Sequence, residues 1–419
     1  MTAHQKSAER KGSRPIAAQK AINLALQGGG CHSAFTWGVL DRLLEDERLT
    51  FDGVSATSTG CINAVLLADG LAAGGPAAAK ELLRAFWKKM SDMASLSLIA
   101  PSFFDKINPT FGLEHSPGYL FVDMVSRFMS PYELNPFDIN PMRDLLNEII
   151  DFERVRRQQA VKLYLCATTV RTGKIAVFTN KEITADHIIA SGCMPFRMRA
   201  PAIGGEHYWE GGFMGNPAIF PVIYGCKSCD ILLIRLTPAH RSELPTSARA
   251  ILDRMEEISF NAALMREMRV ISFMTELIDE GKVSDGKRMF IHSIEAEDII
   301  KNLAASSKMN ADWTFLTHLF GRGREYADAW LTENFDSIGV ETTVDPGVLN
   351  RNMVLQNSVL FGSVNANRRH YELAAQALAQ ADPGWLADLI TRQEPLARWA
   401  DAYARQPDDI KTVLTFPGG

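Results

Sequence analysis

The sequence predicts an α/β fold with a mostly parallel central sheet and helices on both of its faces. Strand and helix signals alternate from Ala21 to about Leu236, the pattern of parallel strands joined by crossover helices. Two of the strand-to-helix connections are tight turns, one with a glycine cluster and one with a serine. A composition of 46% hydrophobic and 22% charged residues supplies ample material for the core of such a fold.

The first predicted strand, Ile22 to Leu26, leads into the glycine cluster Gly28, Gly29 and Gly30, and a helix is predicted from Ala34 to Leu44. Because glycine lacks a Cβ, such a turn lets backbone N–H groups point into one space, as an oxyanion hole requires. The same cluster after a strand is also found where a phosphate binds, or where the chain only turns.

The second predicted strand, Phe51 to Val54, leads into Ala56-Thr57-Ser58-Thr59-Gly60, and a helix is predicted from Cys61 to Leu71. A serine on a tight strand-to-helix turn is exposed at the sheet edge, above a helix N-terminus that favours negative charge. This makes Ser58 a candidate nucleophile, although so short a pattern also occurs in plain turns.

A third turn supplies a base. Glu210 leads into a glycine-rich stretch that runs from Gly211 to Pro217. With Ser58 as the nucleophile, a carboxylate is the group that could accept its proton. The three turns together predict acyl transfer through a serine ester.

In content and order, these turns resemble those of the patatin-like phospholipases, and the resemblance covers roughly residues 20 to 345. The stretches Ala167-Thr168-Thr169 and Ala190 to Phe196 add to it. The resemblance implies a three-layer α/β/α fold. It also implies a lipid acyl hydrolase that uses a Ser58–Glu210 dyad without a histidine and an oxyanion hole at Gly28, Gly29 and Gly30.

Three departures from the family's motifs keep alternatives open. Ala56 and Ser33 stand where the family has glycine, and Glu210 stands where it has aspartate. A catalytic group misplaced by about 1 Å can cost roughly a hundredfold in rate. A non-catalytic lipid-binding or regulatory protein therefore remains an alternative, as does an intracellular polyester hydrolase.

Three further residues are candidates for substrate binding. His32 lies beside the glycine turn, where it either touches substrate or is a neutral, hydrogen-bonded histidine in a packed turn. Arg197 and Arg199 follow Pro195 and would favour an anionic head group, unless they are ordinary surface charges.

We predict a disordered tail over 1–20, a catalytic domain over 21–240, a helical extension over 241–345 and a separate fragment over 346–419. Within the catalytic domain, residues 95–140 form an insertion rich in aromatic residues, proline and glycine. This insertion is either a helical subdomain with its own small core or a cap that lines an acyl pocket.

From about Leu349 to Phe416 the chain resembles the C-terminal end of a medium-chain glucose dehydrogenase. The matching stretches include Met353 to Tyr371 and Asp408 to Leu414. The glycine fingerprint that grips a dinucleotide has no upstream counterpart in the right order, and neither have that family's zinc ligands. We therefore expect a fused remnant and no cofactor, with a partner-docking segment as the alternative.

Composition narrows the remaining classes of function. A net charge of −5 gives no nucleic-acid footprint, and six scattered cysteines are typical of reduced thiols inside a cell. Cys226 and Cys229 form a single C-x-x-C motif without a second cysteine pair to complete a ligand set, so no metal site is expected. With no signal peptide or spanning segment apparent, we expect a cytoplasmic protein whose apolar loops touch membranes or lipid particles. A homo-oligomer remains an alternative to a monomer.

Overall fold

A computed structural model of the chain describes residues 19–239, 241, 244–246 and 248–344, together with 384, 390–395, 398 and 411–415. The chain divides into two compact units, Met1–Asn352 and Met353–Gly419. The predicted tail falls outside the described residues up to position 18, and Lys20, its last predicted residue, already begins the first strand.

The first unit alternates strands and helices. The strands are β1 Lys20–Leu26, β2 Leu49–Thr57, β3 Lys162–Thr169, β4 Ile175–Thr179, β5 Ala202–Ile203, β6 Glu206–Trp209, β7 Asp230–Arg235 and β8 Phe290–Glu295. The helices before β3 are α1 Ala34–Leu43, α2 Thr59–Gly74, α3 Pro76–Ser95, α4 Phe103–Ile107, α5 Pro117–Val125, α6 Pro131–Leu134, α7 Pro141–Ile149 and α8 Phe152–Arg157. The later ones are α9 Ala185–Ser191, α10 Phe220–Gly225, α11 Ala248–Asp279, α12 Glu297–Ile300 and α13 Trp313–Asn334.

Eight strands form the central sheet in the order β5-β6-β3-β2-β1-β7-β8, with β4 paired to β3. The pairs β1–β2, β1–β7, β2–β3 and β7–β8 are parallel, whereas β4 and β6 run antiparallel to β3. The predicted mostly parallel sheet is confirmed.

Helices cover both faces of this sheet. Alternate residues of a strand point to opposite faces, and β7 divides accordingly between two buried clusters. Leu232 and Ile234 pack in the larger cluster, which includes side chains of α1, α2, α3 and α13, whereas Ile231 and Leu233 pack in a smaller one with α10 and α11. This is the predicted three-layer α/β/α arrangement.

Two regions differ from the prediction. The segment 241–345, predicted as helical, contains β8, which pairs with β7 from Asp230 to Arg235 and extends the sheet. A strand of six residues between two longer helical patterns is hidden by their period. The insertion at 95–140 is helical, but it has no core of its own, because its buried hydrophobic side chains are Leu113 and Tyr119.

The second unit contains β9 Ile390–Pro395 and β10 Lys411–Thr415, which form a parallel pair. Most of the predicted dehydrogenase-like fragment, including Met353 to Tyr371, lies outside the described residues. Among the helices that the structure describes, none has both the length and the apolar composition needed to cross a bilayer.

Candidate active site

Ser58 stands at the sharp turn between β2 and α2. Its backbone has φ 57° and ψ −132°, in the region that non-glycine residues rarely adopt. The Ser58 N–H donates a hydrogen bond to Ser191 Oγ at 2.8 Å. A Cβ at Gly60 would lie 2.5 Å from the carbonyl oxygen of Leu26, so glycine lets the turn pack against β1.

Glu210 faces Ser58 from the turn that follows β6. Its side chain is 2% exposed, and its carboxyl group lies close enough to the Ser58 hydroxyl and to the Gly212 N–H for both groups to lower its pKa. The Glu210 backbone is held on both sides: its N–H donates to Cys193 O at 2.8 Å, and its carbonyl accepts from Thr168 Oγ1 at 2.8 Å. The two residues of the predicted dyad therefore lie side by side in the same cavity wall.

Burial gives Glu210 an unusual acidity. Desolvation raises the pKa of its carboxyl group from 4.5 to about 8. Hydrogen bonds from Ser58 and Gly212 act in the opposite direction, the charge of Glu256 adds to the rise, and that of Lys308 lowers the pKa. A carboxyl group with a pKa close to neutral pH is suited to accept and return a proton.

The glycine turn lies against the nucleophile. A Cβ on Gly28 would stand 2.5 Å from Ser58 Cβ, so this position has no room for a side chain. However, the Gly28 N–H already donates to Asn216 Oδ1 at 2.8 Å, so in this structure it does not point freely into the space beside Ser58. The Gly29 N–H makes a longer bond, 3.3 Å, to Thr59 Oγ1. The Gly30 N–H has no acceptor among the described residues.

Sequence reasoning missed the residues that brace these turns. Ser191 Oγ donates to Cys166 O at 2.5 Å, accepts from Ser58 N–H, and contacts the Cys61 thiol at 3.1 Å. The Asn216 carbonyl accepts from Gln27 Nε2 at 2.9 Å. Ser191 and Asn216 both lie in motifs that the sequence analysis names, but no local pattern predicts hydrogen-bond partners so distant in the sequence.

His32 is held by a hydrogen bond to Ser307 and has no hydrogen bond to Ser58 or Glu210 among the described residues. Its Nε2 lies 2.7 Å from Ser307 Oγ, which itself donates to the carbonyl of Ala304, so the ring nitrogen is the donor. Burial, aided by the charges of Lys308 and Arg241, lowers the pKa of His32 to about 3. His32 borders the cavity described below, but as a neutral, packed histidine, the second of the two predicted alternatives.

The two predicted arginines separate. Arg197 is exposed and lines the cavity, with one contact at 3.2 Å to Met309 Sδ. Arg199 is not in that lining. It donates to the carbonyls of Asn135 and Pro136 and lies over the ring of Tyr132, so it holds the insertion in place. The prediction that Arg199 binds substrate is therefore not supported by its contacts.

A cavity of about 430 Å³ joins these groups. Its polar lining includes Ser58, Glu210, Arg197 and Lys308. The apolar lining consists of Ile62, Tyr119, Met142, Leu146, Ile188, Ile189, Met194, Met198, Leu236, Pro238, Phe260 and Met309. Tyr119 belongs to α5, so the insertion contributes to the wall. A mostly apolar cavity with a few convergent polar groups is typical of a site for an amphiphilic molecule.

The described residues contain no cluster of three or more His, Cys, Asp or Glu side chains positioned for a metal ion. All six cysteines are unpaired.

Two family models match separate parts of the chain. Residues 24–223 match the model described as patatin-like phospholipase, and residues 336–416 match the glucose dehydrogenase C-terminus. The second match begins in the first compact unit, where the Gly339 N–H donates to Asp230 Oδ1 at 2.7 Å.

Curated relatives match a short stretch of the chain. Glucose 1-dehydrogenase 2 of Vulcanisaeta moutnovskia is 44% identical over 71 residues, which is 16% of this chain and 20% of the relative. Glucose 1-dehydrogenase of Halobacterium salinarum is 44% identical over 69 residues, 16% of this chain and 19% of the relative. The chain thus spans about a fifth of the length of these relatives.

Solved structures give distant matches. VipD from Legionella pneumophila aligns with a TM-score of 0.31 and 14% identity over 73% of this chain and 68% of that chain. The type III effector protein ExoU aligns with a TM-score of 0.28 and 15% identity over 94% of this chain and 72% of that chain. Scores this low carry no conclusion about activity. The predicted resemblances are confirmed by the family models: residues 24–223 match the patatin-like phospholipases, and residues 336–416 match the glucose dehydrogenase C-terminus.

Proposed function

We propose that this protein is a serine-dependent lipid acyl hydrolase. The observation that carries the proposal is the position of Ser58 beside the buried carboxyl group of Glu210, both lining one largely apolar cavity. The match of residues 24–223 to the patatin-like phospholipases supports the class of substrate.

In the first step, ionised Glu210 accepts the Ser58 hydroxyl proton while Oγ forms a bond to the ester carbonyl carbon. The electron pair of the carbonyl bond moves onto its oxygen. When this intermediate collapses, the ester C–O bond breaks, and the leaving alkoxide takes the proton back from Glu210. The products are an alcohol and an acyl group on Ser58.

The glycine turn stabilises the oxyanion. The Gly30 N–H is available as a donor, and the Gly29 N–H can exchange its 3.3 Å bond to Thr59 for a shorter one to the oxyanion. Gly28 contributes by its shape, because only a residue without a side chain lets the turn approach Ser58. Loss of one such donor typically costs about 10²–10³ in kcat.

In the second step, Glu210 accepts a proton from water as the water oxygen attacks the acyl carbon. The bond to Ser58 Oγ breaks, and Oγ recovers the proton from Glu210. A fatty acid is released. Every proton movement uses one carboxyl group, so the cycle needs neither a histidine nor a cofactor.

The alternative functions are separable. A non-catalytic lipid-binding protein would bind acyl chains in the same cavity without consuming them. A polyester hydrolase would share the chemistry but prefer polymer to phospholipid.

The test is labelling with a serine-directed fluorophosphonate, together with hydrolysis of a short p-nitrophenyl ester and of phosphatidylcholine. We expect the chain to be labelled and active, and Ser58→Ala to lose both properties while its circular dichroism spectrum is unchanged. Ser97→Ala, which changes an exposed serine, is the matched control. A Ser58→Ala variant within a few-fold of the parent activity would exclude Ser58, and a parent chain that is never labelled would favour the binding protein.

A further inference from the structure

The cavity is bordered by hydrophobic side chains that face solvent. Phe196 is 78% exposed and precedes Arg197, an exposed residue of the cavity lining. On α11, Met255 is 62% exposed beside the lining residue Glu256. We call six such side chains the apolar rim: Leu120, Phe121, Met124, Phe196, Leu252 and Met255.

Helix α5, which contributes Tyr119 to the cavity wall, also carries exposed apolar side chains. Tyr119 is buried in the cavity wall, whereas Leu120, Phe121 and Met124 on the same helix are exposed. Beyond the rim, the insertion exposes Phe103, Phe104, Phe128 and Phe137. More than half of the large exposed hydrophobic side chains among the described residues lie between positions 95 and 140. Concentrated exposed apolar surface is uncommon on proteins that do not bind another surface.

The position of the rim argues for a lipid surface as its occupant. A protein or a second copy of the chain seated there would cover the cavity that contains Ser58 and Glu210, and would keep substrate out. A lipid surface would instead bring ester bonds to that cavity. This step rests on the proposed function, because it takes the cavity to be a lipid site.

The charges near the rim favour an electrically neutral surface. Arg197 and Lys308 line the cavity together with Glu256, and the Lys308 Nζ lies 3.5 Å from a Glu256 carboxylate oxygen. Asp253 also lines the cavity, so two basic and two acidic side chains offset one another and no net attraction to an anionic surface is built in. Hydrophobic insertion then dominates the binding.

We propose that the apolar rim docks this protein on the surface of a zwitterionic phospholipid bilayer, with the cavity opening toward the lipid. Transfer of one such side chain from water into an apolar environment changes a partition constant by about tenfold or more when burial is complete. Loss of two rim side chains should therefore weaken binding at least about tenfold.

The experiment measures flotation of the full-length Ser58→Ala chain with phosphatidylcholine vesicles, so that no lipid is hydrolysed. The rim variant combines Phe121→Ser with Phe196→Ser. The matched control combines Tyr224→Ser with Val340→Ser, which are 84% and 65% exposed. The control pair lies near the amino-terminal ends of the parallel strands, whereas Ser58 and Gly28 follow their carboxyl-terminal ends. Lys162 at the start of β3 bonds to Gly225 O, next to Tyr224, and Lys20 at the start of β1 bonds to Ile338 O, close to Val340.

We expect the control to float as the parent does and the rim variant to lose at least about tenfold in its partition constant. Adding phosphatidylserine should change parent binding little. With Ser58 restored, the rim variant should hydrolyse a soluble short ester at the parent rate, because neither changed residue lines the cavity.

Equal flotation of the rim and control variants would overturn the proposal, and so would a parent chain that does not float. A dimer in sedimentation that only the rim variant dissociates would assign the surface to a second copy instead. The proposed function fails separately. Flotation without hydrolysis would support docking through the apolar rim and refute the hydrolase proposal. Hydrolysis of a soluble ester without flotation would support the hydrolase proposal and refute docking.

Discussion

The pKa of Glu210 predicts how activity depends on pH. Only the ionised carboxylate can accept the Ser58 proton, and burial raises the pKa of this group to about 8. About 9% of the groups are then ionised at pH 7 and about 91% at pH 9, so kcat/KM should rise roughly tenfold between these values. A base at its ordinary pKa would give a flat profile over this range.

Two neighbouring charges provide variants of opposite sign. Glu256 raises the pKa of Glu210 and Lys308 lowers it, because like charge disfavours the carboxylate and opposite charge favours it. Glu256→Gln should therefore move the midpoint of the profile to lower pH. Lys308→Met should move it to higher pH. Neither residue exchanges protons with Ser58 in the proposed mechanism, so both variants should keep a functional plateau.

The assay is hydrolysis of a soluble p-nitrophenyl ester between about pH 6 and pH 10, corrected for spontaneous hydrolysis. A soluble substrate removes any effect of binding to an aggregate. A profile already flat at pH 7 would refute the reasoning about burial. Shifts of both charge variants in the same direction would refute the assignment of the titrating group to Glu210, as would a Glu210→Gln variant with most of its activity.

Further predictions follow from the same contacts. Since the folded-state pKa of Glu210 exceeds its ordinary 4.5, the folded chain retains a proton that the unfolded chain releases. The free energy of unfolding, measured by urea titration, should therefore fall between about pH 4.5 and pH 8, and it should fall less in Glu210→Gln. Ser191→Ala leaves the Ser58 N–H without its acceptor. It should reduce kcat with a smaller change in KM, and it should lower the free energy of unfolding by about 1–3 kcal/mol. Gly28→Ala should abolish ester hydrolysis, whereas Gly321→Ala, where an added Cβ meets nothing within 4 Å, should be neutral. A chain that ends at Asp345 should retain esterase activity, and the full chain should show no saturable NAD or NADP binding by calorimetry.

The sequence predicted the parts of the site that depend on local chemistry. A positive φ at Ser58 and the close approach of Gly28 are properties of short turns, and short motifs report them. The hydrogen bonds that fix these turns were not predictable in the same way. Asn216 takes the Gly28 amide, and Ser191 takes the Ser58 amide, through contacts made only when distant segments meet.

Neighbours in sequence were also misleading about orientation. Arg197 and Arg199 were predicted as one cationic feature, but the chain between α9 and β5 carries them to different surroundings. Arg197 reaches the cavity, whereas Arg199 donates to carbonyl groups of the insertion. Outside regular helices and strands, a spacing of two residues does not determine a shared face, so only the tertiary structure could separate their roles.

The presence of glutamate at position 210, where patatin-like motifs have aspartate, has a structural explanation. The backbone on both sides is fixed by Cys193 and Thr168, so the turn cannot shift to compensate for a change in side-chain length. The carboxyl group nevertheless meets both Ser58 and the Gly212 N–H. These contacts belong to the longer side chain, and an aspartate on the same fixed backbone would draw its carboxylate back by one methylene. The geometry around position 210 is therefore matched to glutamate, and the departure from the family motif is compatible with catalysis by Ser58.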